Sequence, residues 1–312
     1  MLSCTLNVVR TQMICFQYTV IISEGEYKSF HNFICLFSPA KPFVPRHDGD
    51  YKGEIALEEL VRVEHINKNY HTVKAQTEVV ADLSFSVYKE EFLSIIGPSG
   101  CGKTTVLSLI AGLIPPSGGK ITLENEEVTG YSELVAYMLQ RDHLFEWRTI
   151  EENIVLGLQV RKKCTKEAQR KANELLEKYG LGDFKKYYPQ QLSGGMRQKV
   201  ALIRTLAVDP ELLLLDEPFS ALDYQTRLAL SDEISEIIRT EKKTAVLVTH
   251  DIAEAISMSD RVLVLSVRPT TVKTELKIEF DDMSAPPIHK RKDEKFRDYF
   301  DFLWKELAVH VE

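Results

Sequence analysis

The chain has 312 residues, 44% of them apolar and 27% charged, enough to bury a full core and too apolar for a disordered tail. With 39 basic against 46 acidic side chains the net charge is −7, which disfavours a protein held on nucleic acid or anionic lipid by its overall field. The longest apolar candidate, Met13 to Ile22, is short and contains Gln17, so a membrane-spanning helix is excluded, and five cysteines (Cys4, Cys15, Cys35, Cys101, Cys164) without a CxxC pair suit reduced, cytosolic thiols.

Residues 1–60 differ from the rest. They hold Cys4, Cys15 and Cys35, several aromatics and a Pro-spaced stretch, Ser38 to Pro45, that reads as a linker. Arg10 and the apolar run after it imitate a secretory signal, but Ser23-Glu24-Gly25-Glu26 is not a small-residue cleavage site. A loosely attached extension or an over-long start of translation is the expectation.

From about Val61 the pattern is α/β. Phe92 to Ile96, Leu212 to Leu215, Thr244 to Thr249 and Arg261 to Leu265 are short, nearly unbroken apolar runs, as expected of strands covered on both faces. Helical periodicity lies between them. Lys166 to Tyr179 carries Ala168, Ala172, Leu175, Leu176 and Tyr179 on one face and stops at Gly180. Gln225 to Thr240 turns Leu228, Ile234, Ile237 and Ile238 inward, and Phe296, Tyr299, Phe300, Leu303 and Leu307 trace a last helix. The basic run His289 to Lys292 reads as a solvated turn.

Gly97-Pro98-Ser99-Gly100-Cys101-Gly102-Lys103-Thr104, followed by Thr105, matches G-x-x-x-x-G-K-[ST] between a buried strand and a helix beginning near Lys103. The glycines let the backbone wrap a phosphate with its N–H groups inward, and the helix N-terminus adds partial positive charge. Lys103 would reach the β- and γ-phosphates, and the Thr104 hydroxyl would ligate Mg²⁺. Cys101 reads as a spacer in this loop rather than a redox switch. The strand Leu212 to Leu215 ends in Asp216 and Glu217; a carboxylate at that edge can hold Mg²⁺ through water, and the next can polarise the attacking water. His250 ends another apolar strand on the edge where phosphate sites lie.

More than a hundred residues separate Lys103 from Asp216, and they contain Leu192-Ser193-Gly194-Gly195-Met196-Arg197-Gln198. That heptapeptide closely resembles the signature of ABC-type ATPases, and the other motifs stand in family order from about Val61 to the C-terminus. Gln140 resembles the Q-loop glutamine, which the family places at the metal and the attacking water. Ser220-Ala221-Leu222-Asp223 resembles the D-loop, His250 in Val248-Thr249-His250-Asp251 the switch histidine at the γ-phosphate, and Tyr70 the aromatic on which adenine stacks; a tyrosine at a strand end is also often plain packing. The resemblance implies an α/β P-loop NTPase fold of ABC-ATPase type over 61–312: a mixed sheet core, an antiparallel β portion and an inserted helical subdomain at about 141–205. It implies ATP and Mg²⁺ as cofactors and a head-to-tail homodimer. In that dimer Ser193, Gly194, Gly195 and Asp223 complete the partner subunit's nucleotide site. Ser193-Gly194-Gly195 precedes a helix expected from Arg197 to Val208, so its amides form a second anion site.

Leu144-Phe145-Glu146-Trp147-Arg148-Thr149-Ile150-Glu151-Glu152-Asn153 resembles the importer subgroup's L-x-P-W-R-T-x-x-E-N, with Glu146 in place of the proline. Asp251 to Ala255, Ser266-Val267-Arg268-Pro269 and the final helix around Trp304 are also similar to the ATPase subunits of bacterial nitrate, sulfonate and taurine importers. Lys89-Glu90-Glu91-Phe92 lacks a usual glycine and Ser220 stands where glycine is common; neither departure is expected to touch a catalytic group. The resemblance implies an ATPase at the cytoplasmic face of the membrane, bound to a separate integral permease and acting indirectly with an extracellular solute-binding protein, with no nucleic acid. The alternative is a soluble ATPase of this type acting on nucleic acid or ribosomes.

Overall fold

The computed structural model describes residues 58–71 and 76–308. The extension expected over 1–60, its cysteines and its linker therefore lie almost wholly outside the described residues.

The apolar runs form strands because each can bury both faces. A six-stranded sheet has the order β10-β9-β3-β8-β7-β6. It contains β3 (Phe92–Ile96), β6 (Val135–Met138), β7 (Leu212–Asp216), β8 (Thr244–Val248), β9 (Arg261–Leu265) and the edge strand β10 (Val272–Lys277). Five of its strands run parallel and β10 is antiparallel to β9. Leu212 and Leu214 of β7 and Val246 and Val248 of β8 face one core cluster, while Leu213, Leu215, Ala245 and Leu247 face another, as the two-residue side-chain period requires.

One face is covered by α1 (Lys103–Ile110) and by a four-stranded antiparallel sheet, order β2-β1-β4-β5. That sheet comprises β1 (Glu59–His71), β2 (Gln76–Tyr88), β4 (Gly118–Leu123) and β5 (Glu126–Glu127). In β1, Val61 and Val63 are buried and Arg62 is exposed, the alternation of a sheet wet on one side. Irregularities between Val63 and Ile66 and left-handed backbone at His65 and Asp82 interrupt the period, which is why no clean strand pattern is legible there. The other face of the large sheet carries α5 (Gly194–Leu206) and α6 (Tyr224–Thr240). A third cluster joins α7 (Ile252–Met258), β9, β10 and α9 (Glu294–Ala308).

Between β6 and β7 in the chain, α2 (Ile150–Ile154), α3 (Leu156–Val160), α4 (Lys166–Lys178) and α5 share a fourth cluster around Ile150, Ile154, Leu176, Val200 and Ile203. On α4 only Ala172 and Leu176 are fully buried, and on α6 Leu230 takes the buried position expected for Leu228, which is half-buried. The run His289 to Lys292 is no solvated turn. Its first half belongs to α8 (Pro287–Lys290), and Lys290 is only 2% exposed, because α8 packs against α6 and α7.

Candidate functional site

The loop 97–104 leaves buried β3 and enters α1. Gly100 and Gly102 have φ of 73° and 125°, conformations costly to any residue with a Cβ; at Gly102 that Cβ would also lie 2.9 Å from Thr270 Oγ1. The Thr270 hydroxyl donates to the Cys101 carbonyl, which ties the loop to the chain after β9. Cys101 is buried, and burial pushes its thiol up, so it stays a protonated packing group. The Lys103 ammonium rests within the loop, donating to the carbonyls of Gly97 at 2.9 Å and Pro98 at 3.1 Å. A cavity of about 460 Å³ lies over the loop, lined by Pro98, Ser99, Gly100, Cys101, Val267 and Arg268.

Behind the loop, the Thr104 hydroxyl donates to Asp216 Oδ1 at 3.2 Å. Burial raises the Asp216 carboxyl, opposed by its hydrogen bonds from Thr104 and from Tyr137, whose hydroxyl donates to Oδ2 at 3.1 Å. Burial first, then the Asp216 charge, push the Tyr137 phenol far up, so it is a permanent donor. Tyr137 was not visible as a site residue; the available signal is its place three residues before Gln140 in a buried strand.

Glu217 comes next, with φ 46°; its N–H donates to the Val248 carbonyl at 2.8 Å, which aims the side chain beyond the strand ends. His250 Nδ1 lies 3.2 Å from Glu217 Oε2. The Gln140 amide donates to that same oxygen at 3.4 Å and to Ser220 Oγ at 3.2 Å. Ser220 in turn donates to the Glu217 carbonyl at 3.0 Å, so this departure from the family pattern does touch the candidate catalytic residues Gln140 and Glu217, contrary to expectation. Two side chains far apart in sequence, His250 and Gln140, thus converge on one carboxylate. His250 is framed by neighbours: the Thr249 hydroxyl donates to buried Glu254 at 2.7 Å, and the Asp251 N–H donates to Thr249 Oγ1 at 3.1 Å.

The signature lies elsewhere. The helix α5 starts at Gly194, three residues earlier than expected, because the Ser193 hydroxyl caps it by accepting from the Met196 N–H at 3.3 Å. Gly194 and Gly195 therefore present free first-turn amides. A Cβ on either would press on Leu222 or Thr226, which places the signature beside the turn of Asp223. Asp223 caps α6, accepting from the Thr226 N–H at 3.1 Å. Tyr70 stands near the end of β1, 41% exposed, with the Lys68 ammonium 5.3 Å from its ring centre. It pairs with Thr77 of β2, the strand whose Val79 flanks Gly102.

The ABC transporter family matches residues 80–220. An uncharacterised ABC transporter ATP-binding protein of Bacillus subtilis, YtlC, is 47% identical over 248 residues, covering 80% of this chain and 95% of the relative. The aliphatic sulfonates import ATP-binding protein SsuB of Bacillus cereus is 40% identical over 209 residues, covering 67% of this chain and 82% of the relative. Among solved structures, the dimeric cassette MJ0796 in a post-hydrolysis state with ADP and Pi is 29% identical with a TM-score of 0.61, over 71% of this chain and all of that one. A glycine-rich strand-to-helix loop, an adjoining pair of carboxylates and a nearby histidine on a mixed sheet accord with these relatives, and at 47% identity over most of its length the chain belongs to the ABC transporter ATP-binding proteins, the ATP-hydrolysing cassettes of that family.

Proposed function

We propose that this chain is the ATP-hydrolysing subunit of an importer whose pore is a separate integral membrane permease, and that two copies close head-to-tail over two ATP molecules. The observation that carries the chemistry is the single oxygen, Glu217 Oε2, approached by both His250 and Gln140 beside the Thr104–Asp216 pair. Lys103 and the loop amides would hold the β- and γ-phosphates, with Gly97 to Thr105 as the cradle. Glu217 would polarise the attacking water, and His250 would hold it and the γ-phosphate in line.

The Asp216 carboxylate and the Thr104 hydroxyl offer oxygens that suit Mg²⁺, with the Gln140 amide on neighbouring Glu217. Among the described residues no cluster of three or more His, Cys, Asp or Glu could hold an ion by itself, which fits an ion that brings waters and phosphate oxygens with it. Thr104, Asp216 and Gln140 would face it, and when bound it would neutralise charge on the transferred phosphoryl group.

The signature amides at Ser193, Gly194 and Gly195, which lie beside Leu222 and Thr226 on either side of Asp223, would serve a nucleotide on a second copy. A site completed only on closure ties hydrolysis to movement. Tyr70 would offer the free face of its ring to adenine. No helix among the described residues is long and apolar enough to cross a membrane, so a permease would supply the pore and the cassette would dock on its cytoplasmic side. The sulfonate-importing relative favours sulfonate-, taurine- or nitrate-like solutes, delivered by an external binding protein. No observation favours the nucleic-acid or ribosome alternative.

Glu217→Gln tests this reading. It should bind Mg-ATP, lose hydrolysis by about 10³-fold or more and elute as a dimer from a sizing column. A variant that stays monomeric with saturating Mg-ATP overturns the closed-dimer reading.

A further inference from the structure

Both oxygens of Asp216 are held. Thr104, on α1, donates to Oδ1, and Tyr137, on β6, donates to Oδ2. The parallel register of β6 and β7 pairs Tyr137 with Leu214. Tyr137 therefore shares its face with Leu214, and Asp216, two residues on, lies on that face as well. The same face packs against α1: Val135, Leu212 and Leu214 join Val106, Leu107 and Ile110 in one cluster, with the Tyr137 ring against it. Phenol and Thr104 hydroxyl thus reach the carboxylate from one side of the sheet. Ser108 of α1 is a further neighbour of the phenol, and its own hydroxyl donates to the Thr104 carbonyl at 2.8 Å.

We propose that Tyr137 is a positioning residue for the metal-facing carboxylate: by holding Oδ2 it fixes the plane of Asp216 and presents Oδ1 toward Thr104, where Mg²⁺ would enter with the nucleotide. A carboxylate with one oxygen free to rotate offers either oxygen to the metal and loses part of its aim. A neutral phenol anchors it without adding a competing positive charge, which a lysine or arginine at this position would bring. The inference rests on the proposed metal role of Thr104 and Asp216. Partners behind metal-facing carboxylates characteristically matter for ion affinity more than for fold.

The test uses the full chain and two readouts: calorimetric binding of ADP without metal, and the Mg²⁺ concentration that half-saturates both hydrolysis and the metal-dependent tightening of adenylyl imidodiphosphate. Tyr137→Phe, which keeps the ring and removes the hydroxyl, should leave metal-free ADP binding within about twofold and raise the half-saturating Mg²⁺ about tenfold, with excess Mg²⁺ restoring most turnover. Tyr137→Met, an apolar residue without the ring, should show the same metal shift. Either variant binding metal-free ADP normally with an unshifted Mg²⁺ requirement overturns the assignment, as does a loss of metal-free binding in step with thermal stability and no metal shift in both, which is the signature of packing alone. Asp216→Asn separates the two layers. If it raises the Mg²⁺ requirement while the Tyr137 variants do not, the inference fails and the site reading stands; if it leaves the requirement unchanged, the metal role of Asp216 fails and the inference with it.

Discussion

Glu217 sits in left-handed backbone at φ 46°, a conformation that costs a non-glycine residue about 1–3 kcal/mol and survives only where the surroundings over-determine it. Here the constraint is the Val248 carbonyl, and the return is a carboxylate placed where His250 and Gln140 meet. Lys290 is the other residue set by its surroundings. It lies beside a cavity of about 320 Å³, and its ammonium finds no hydrogen-bond partner among the described residues. Burial first, then the charge of Arg239, lower it to about 8 against the attraction of Asp260 and Asp282. The native chain therefore releases this proton near pH 8, whereas the unfolded chain keeps it to about 10.5. Between those values the unfolded state binds more protons and stability rises with pH; below 8 the full cost of the buried charge is present. Lys290→Met should accordingly stabilise the protein by about 1–3 kcal/mol at pH 7, with the advantage shrinking toward pH 10. Urea unfolding at pH 7 and 9.5 checks this, and an equal difference at both would refute the buried-charge account.

The segment before α2 shows an element defined by one side chain. The importer resemblance has a proline where this chain has Glu146, leaving the loop's shape undefined by sequence. Asn153, completely buried, supplies the shape: its amide donates to the carbonyls of Phe145, Arg148 and Thr149, and its oxygen accepts from the Phe145 N–H. Thr149 and Glu152 close a capping box on α2. The loop thereby holds Trp147 73% exposed and stacked 4.8 Å from Phe145. Asn153→Ala strands several backbone groups and should cost about 2–4 kcal/mol, with the fastest gain in amide hydrogen exchange at 145–149. Exchange rising evenly over the whole chain would instead mean a global loss. The asparagine is visible in sequence as part of a motif, but its four bonds are not, since they close only when the loop folds back on the helix. The same limit applies to α5. A Gly-Gly pair reads locally as a helix breaker, yet the Ser193 cap and packing against Leu222 and Thr226 carry the helix through it.

For the whole molecule, every proposed site residue lies between Tyr70 and His250, and both sheets of the described residues lie C-terminal to Glu58. Deleting residues 1–55 should therefore leave ATP hydrolysis within about twofold and the unfolding midpoint within a few degrees. Insoluble or inactive truncated protein would show that the extension belongs to the fold. The large sheet brings loops 97–104, 216–223 and 249–251 to one edge because β3, β7 and β8 are adjacent and parallel, and strand ends on that edge are where α/β sheets bind phosphates.

The glycine-rich loop, the buried strands and the order of the motifs can be read from the residues alone. Glycine's backbone freedom, a two-face apolar run and a strand-to-helix turn are local properties, readable within a few residues. Folding alone shows that His250 and Gln140 meet at one oxygen of Glu217, that Ser220 and Tyr137 brace the two acids, and that Lys290 is buried rather than solvated. The physical reason is common to all: each is a contact between chain segments far apart in sequence, fixed by sheet register and helix packing, and no local pattern of residues encodes where a distant side chain will arrive.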